Sequence, residues 1–160
     1  MERVTRELAF LDDRWLVVLD RVRTRRDELE PRVLWHCPVV PQFDAATRSF
    51  SVEREGARVV VSALLPREVK MNWVEGFVSG GRQIEPVGTL KGLADMGVGR
   101  VEVTASAISS RDYLFVHMLD IADITDAQPK CSAEIDGDKI LVRVGNRRVS
   151  FRVDHFGMLL

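Results

Sequence analysis

Residues 131–154, "CSAEIDGDKILVRVGNRRVSFRVD", decide the fold. Twice in this stretch an alternation of apolar and polar residues is broken by a glycine-containing pair, first Asp136-Gly137 and then Gly145-Asn146, and then resumes. Tight hairpin turns of the primed types need positive φ, which glycine adopts freely and Asn or Asp tolerates. The stretch therefore predicts three antiparallel strands in a meander. Register follows from the turns: Ile140, Val142 and Val144 share one face, Val149, Phe151 and Val153 share another, and Arg148, Ser150 and Arg152 point the opposite way.

The same period of two runs through the rest of the chain, in segments rich in Val, Ile and Phe broken every ten residues or so by Gly, Pro or Asp. Helical periodicity is nearly absent, so the expected class is all-β, an antiparallel β-sandwich over residues 1–160. "SFSVEREGARVVVSALLP" reads as a hairpin, with Phe50 and Val52 leading into a Glu55-Gly56 turn and Val59 to Leu65 returning. "WLVVLDRVRT", residues 15–24, reads as a strand running from the core to an exposed end, with Arg21 and Arg23 on one face and Val22 on the other. Asp12, Asp13 and Asp20 can be read as paired carboxylates, but "LDDRW" reads as the turn before this strand, where an aspartate usually bonds its own backbone. Between Phe77 and Gly99 the glycine-rich, irregular segment predicts a long loop, and loops of that length in compact domains are usually functional or mobile.

Composition bounds the partners. A chain of 160 residues can bury a core without metals or disulfides. Its 23 basic and 24 acidic residues nearly cancel, so no global field draws it to nucleic acid or to a membrane surface, and a charged partner must meet a local patch. The amino terminus, "MERVTRELAFLDDR", is charged from its second residue and carries no apolar run of signal-peptide or anchor length. Cys37 and Cys131 are far apart and form no C-x-x-C motif. The glycines match no nucleotide-binding pattern.

Three groups of residues are candidates for chemistry. In "VLWHCPVVPQF", residues 33–43, His36 stands beside Cys37. Neighbours on a strand face opposite ways, which argues against a catalytic Cys/His pair. A metal site would need further ligands from other strands, and a core or edge histidine remains the plainer reading. In "RDYLFVHMLD", Tyr113 and His117 share a face but lie about 13 Å apart on an extended chain. The single tyrosine invites an acid/base role, against the ordinary one of a sheet aromatic with its hydroxyl at the rim. In "DRVRTRRDELEPR", Arg21, Arg23 and Arg25 alternate and on a continuing strand would line one face able to grip carboxylates or sulfates, against the reading of a self-compensated surface; Arg82 and Lys91 in the glycine-rich loop are further anion contacts.

The order of phrases "RELAFLDDRWLVVLDRV", "RVLWHCPVVPQF", "GARVVVSALLP" and "GRVEVTASAISSRDYLFVHMLDIAD" resembles the C-terminal β-sheet region of heparinase II/III-like polysaccharide lyases, from about residue 6 to residue 125. The resemblance implies β-elimination at uronic acids of acidic polysaccharides such as heparan-type glycosaminoglycans or alginate. It also implies that catalysis belongs with an N-terminal α/α-toroid that nothing in this chain matches. The chain is thus expected to be the C-terminal module of such a lyase, meeting acidic polysaccharide through its parent protein and inactive alone. The alternative is a stand-alone acidic-glycan-binding or structural, assembling β-sandwich, with a homo-oligomer as one form of assembly. Some members hold a structural zinc partly through a histidine on a strand that looks like "LWHC". That makes His36 the carried-over ligand, with its partners expected upstream and the zinc expected in the full-length protein. The resemblance is compatible with a periplasmic or secreted parent.

Overall fold

The computed structural model describes residues 1–76, 78–79, 82–83, 99–105 and 111–153. Fourteen strands follow one another: β1 (Arg3–Leu11), β2 (Trp15–Arg23), β3 (Arg32–Cys37), β4 (Gln42–Asp44), β5 (Ser49–Arg54), β6 (Ala57–Leu65), β7 (Val69–Glu75), β8 (Val78–Ser79), β9 (Arg82–Gln83), β10 (Gly99–Ala105), β11 (Asp112–Asp123), β12 (Cys131–Asp136), β13 (Lys139–Val144) and β14 (Arg147–Arg152). The described residues contain no helix, and none therefore long and apolar enough to cross a membrane.

A six-stranded antiparallel sheet, in the order β1-β2-β11-β6-β5-β4, is the centre of the molecule. The sheet β3-β10-β7 covers one of its faces and the meander β12-β13-β14 covers the other. The all-β sandwich expected from the sequence is therefore a sandwich of three layers with two cores. The physical reason is legible in the middle strands. "WLVVLDRV" and "YLFVHML" are nearly continuous apolar runs, as strands buried on both faces must be, whereas strict alternation marks the strands of the outer layers.

Facing the meander, Val17, Leu19, Val116 and Met118 pack on Ile140, Val142, Val144 and Phe151. A bulge between β6 and β11 passes over Leu64, since Val116 pairs Leu65 and His117 pairs Ala63. Both consecutive leucines, Leu64 and Leu65, thereby reach this core. Facing the other layer, Val22, Phe50, Val61, Tyr113 and Phe115 pack on Val33, Cys37, Val101 and Val103.

The meander forms, with Gly145-Asn146 as its second turn and positive φ at both glycines; the first turn falls one residue later than expected, on Gly137-Asp138, because Asp136 is paired with Lys139. One detail is corrected: Ile140 pairs Phe151 and Val142 pairs Val149, so the two apolar sets lie on the same side of this layer. Residues opposite one another across an antiparallel pair always point the same way. The Glu55-Gly56 hairpin is also present, between β5 and β6. Asp12 and Asp13 do sit in the β1–β2 turn, both at positive φ.

Two expectations about β2 change. Asp20 does not pair with the turn carboxylates of Asp12 and Asp13: it is buried in mid-strand, where Arg6 Nε and Nη2 donate to its two oxygens at 2.6 and 2.8 Å. Nor does the strand run out into solvent at Arg21, which is 1% exposed. Its guanidinium is ion-paired with Glu7 and donates to the carbonyl of Arg152 and, at 3.1 Å, to that of Val153. A buried guanidinium is tolerable only when its donors are satisfied, and here they tie the end of β14 to the central sheet.

Candidate functional site

Strand β3 carries His36 at the edge of its layer, and its register with β10 sets the surroundings. His36 lies opposite Arg100, Leu34 opposite Glu102 and Arg32 opposite Thr104. On the far side of β10, Arg100 meets Val74, Glu102 meets Asn72 and Thr104 meets Lys70 of β7. The outer face of this layer is therefore a polar row crossing three strands, with Arg32, Arg100 and Lys70 against the single carboxylate of Glu102 and with His36 at its border.

Glu102 organises the row. Arg32 Nη1 donates to its Oε2 at 2.7 Å, and Arg100 Nε and Nη2 donate to its Oε1 at 2.9 and 2.7 Å. Burial alone would push this carboxyl up, but the hydrogen bonds and charges of Arg100 and Arg32 outweigh it and hold the group below the usual carboxylate range. The site is thus a fixed anion flanked by two oriented guanidinium groups.

The inner face of β3 is different. Trp35 sets its ring edge-on to His117 of β11, with centroids 5.3 Å apart. Tyr113, Phe115 and His117 form a stacked ladder along that strand, at 6.4 Å for each step. His117 is 0% exposed, and among the described residues neither its ring nitrogens nor Trp35 Nε1 has a hydrogen-bond partner. Burial pushes its imidazole down to about 4, only partly countered by Asp20, so the ring is neutral at physiological pH. Tyr113 is buried as well, its hydroxyl donating to the Leu29 carbonyl at 3.2 Å. The ring is thus a sheet aromatic whose hydroxyl bonds the chain between β2 and β3.

Where the two sheets part, Trp35, Cys37, Phe50, Val52, Val59, Val61 and Leu119 line an apolar groove of about 310 Å³. Both Cys37 and His36 border this groove, but as neighbours on β3 they point to opposite faces, Cys37 into the core and His36 to the exposed side, which argues against a shared proton. Burial also raises the Cys37 thiol above its ordinary value, and its Sγ–H donates to the Trp35 carbonyl at 3.6 Å. Both cysteines are free thiols, Cys37 packed against one face of the central sheet and Cys131 against the other.

The arginines named from the sequence do not form one row. Arg21 is spent on Glu7 and the end of β14, Arg23 is half-buried and paired with Asp112 at 2.6 Å, and Arg25 lies beyond the end of β2 in an exposed bend. Arg82 is exposed in β9, whereas Lys91 and most of the glycine-rich segment around it lie outside the described residues. As for metal binding, no three His, Cys, Asp or Glu stand together among the described residues, and the cross-strand neighbour of His36 is a cation. The described residues therefore do not fit a zinc site at His36. The Arg32–Glu102–Arg100 group was missed in sequence because its members belong to strands separated by most of the chain's first hundred residues. Its only local sign is a charged pair inside the strand "GRVEVTA".

No protein-family model and no curated protein sequence matches the chain. Solved structures do. The heparan sulfate lyase HepC from Pedobacter heparinus is similar over 92% of this chain and 23% of its own, at 16% identity and a TM-score of 0.56. A mutant of that lyase matches over the same shares at 15% identity and 0.58, and a heparinase III gene product at 13% and 0.61. The chain thus spans about a quarter of the length of each lyase, and its three-layered β architecture is a fold that these heparan sulfate lyases and heparinase III contain.

Proposed function

We propose that residues 1–160 are the C-terminal β-module of a heparinase II/III-like polysaccharide lyase, and that the module holds acidic polysaccharide without cleaving it alone. The observation that carries this reading is the likeness of nearly the whole chain to about a quarter of heparan sulfate lyase chains. β-Elimination at a uronate needs a base at C5, a neutraliser for the carboxylate and an acid for the leaving oxygen, all in one cleft. Arg32 and Lys70 can serve the second need, because cations on a sheet face match a flat, repeating anion. The buried Tyr113 and His117 supply neither of the other two.

Incubation of the chain with heparan sulfate, chondroitin sulfate and alginate is expected to yield no ultraviolet absorbance from unsaturated uronate, and sustained turnover would refute a module inactive alone. Retention on immobilised heparan sulfate is expected to fall as salt rises. Arg32→Ala and Lys70→Ala should each elute earlier, with folding stability changed by less than about 1 kcal/mol, as exposed charges generally allow. Elution identical to the parent would remove the outer row from the binding face. A stand-alone acidic-glycan-binding module would use the same row. The size of the mature protein in its cell, on an immunoblot, separates the two: a band several-fold larger than the chain supports the lyase reading.

A further inference from the structure

The two edges of the central sheet are unlike. At one, β4 is three residues long; at the other, β1 runs for nine, and among the described residues it pairs with β2 alone. Along β1 the side chains of Val4, Leu8 and Phe10 point to one face and are 51%, 61% and 57% exposed. The strand "RVTRELAFL" has no proline or lysine, and of its charged residues Arg6 and Glu7 are ion-paired within the chain. A long edge with apolar side chains at alternate positions and a row of outward N–H and C=O groups is a template for another strand.

We infer that two copies of this chain dimerise through their β1 strands, paired antiparallel about a two-fold axis at Glu7, so that their central sheets become one continuous sheet. Self-pairing in this register sets Val4 opposite Phe10, Arg6 opposite Leu8 and Thr5 opposite Ala9, each twice. The two Glu7 side chains meet at the axis, but the strand's inner charges are each neutralised within their own chain: Arg6 is held by Asp20, leaving its aliphatic stem to cover Leu8, and Glu7 is ion-paired with the buried Arg21. A shift of one step to a two-fold at Arg6 would set the exposed Phe10 opposite the carboxylate residue Glu2. A shift the other way, to Leu8, would leave Val4 opposite the turn residue Asp12. Apolar matching thus selects a second β1 in one register. This interface does not depend on polysaccharide binding or cleavage.

Light scattering on a sizing column over a dilution series is expected to show a dimer that dissociates on dilution. Leu8→Lys, on an exposed side chain, should be monomeric throughout, with unchanged circular dichroism and the melting temperature of the diluted, dissociated parent. With Cys37 and Cys131 replaced by Ser, the Val4→Cys/Phe10→Cys double variant should oxidise to a covalent dimer, and Val4→Cys alone should not. A parent chain that is monomeric at every concentration overturns the inference, as does a dimer indifferent to Leu8→Lys. Val4→Cys alone cross-linking as well as the pair overturns the register. Should residues outside those described, or a foreign strand, cover β1 instead, the parent chain would be monomeric.

Discussion

The layer β12-β13-β14 is three consecutive strands joined by two-residue turns, and the core beneath it is aliphatic apart from Phe151 and the rim of Trp15. The layer β3-β10-β7 gathers strands from distant parts of the chain over a core of Trp35, Tyr113, Phe115 and His117, with an apolar groove open at one end. Both cover the same sheet. The meander is closed locally and fastened by Arg21, whereas the other layer tolerates unpartnered ring nitrogens inside and presents the polar row outside. Stability and surface chemistry have been divided between the two faces of one sheet.

The largest test of that division is Arg21→Ala. It strips Glu7 and two carbonyls of their donor and should cost about 4 kcal/mol, the usual loss when one partner of a buried ion pair is removed. Urea denaturation measures it, and a loss below about 1 kcal/mol would mean that the meander holds without its fastening. Next is acid. The imidazole of His117 falls from 6.5 in the unfolded chain to about 4 in the folded one, so its contribution is constant above 6.5. As pH falls from 6.5 through about 4 the unfolded chain binds a proton that the folded one refuses, and up to about 3 kcal/mol is lost. His117→Leu should flatten that part of the stability profile, and an unchanged slope would place the acid sensitivity elsewhere.

Smaller effects separate the cores themselves. Ile140→Val in the meander core should cost about 1 kcal/mol, since a fully buried methyl is lost from close packing. Trp35→Phe should cost less than that or be slightly stabilising, because it deletes a buried N–H that has no partner. Thermal unfolding of the two variants side by side would blur the comparison if Trp35→Phe proved the more damaging.

The same contrast explains what could be read beforehand. The meander was legible because each decision is local: Gly137 and Gly145 fix the turns, and the turns fix the register. The third layer was not, because an apolar run such as "YLFVHML" states that a strand is buried without naming what covers its two faces. His36 could be singled out by its neighbours in sequence, but Arg100 comes to its side only through the β3–β10 pairing. Gly99 illustrates the limit: a side chain there would collide with the Val74 carbonyl and the Trp73 ring, a demand invisible until β7 and β10 are laid together. Arg21 was misplaced because alternation assigns a face but not its cover, and the end of β14 arrives from 130 residues further along.

The grip of Arg21 has a consequence for sequence drift. Its guanidinium reaches β14 through the carbonyls of residues 152 and 153, groups that every amino acid possesses. Substitutions at those two positions leave the fastening intact, while position 21 admits no replacement with the same fork of donors. Descendants of this fold can therefore rewrite the end of the last strand and still close the layer, so long as one buried arginine and its carboxylate are inherited together.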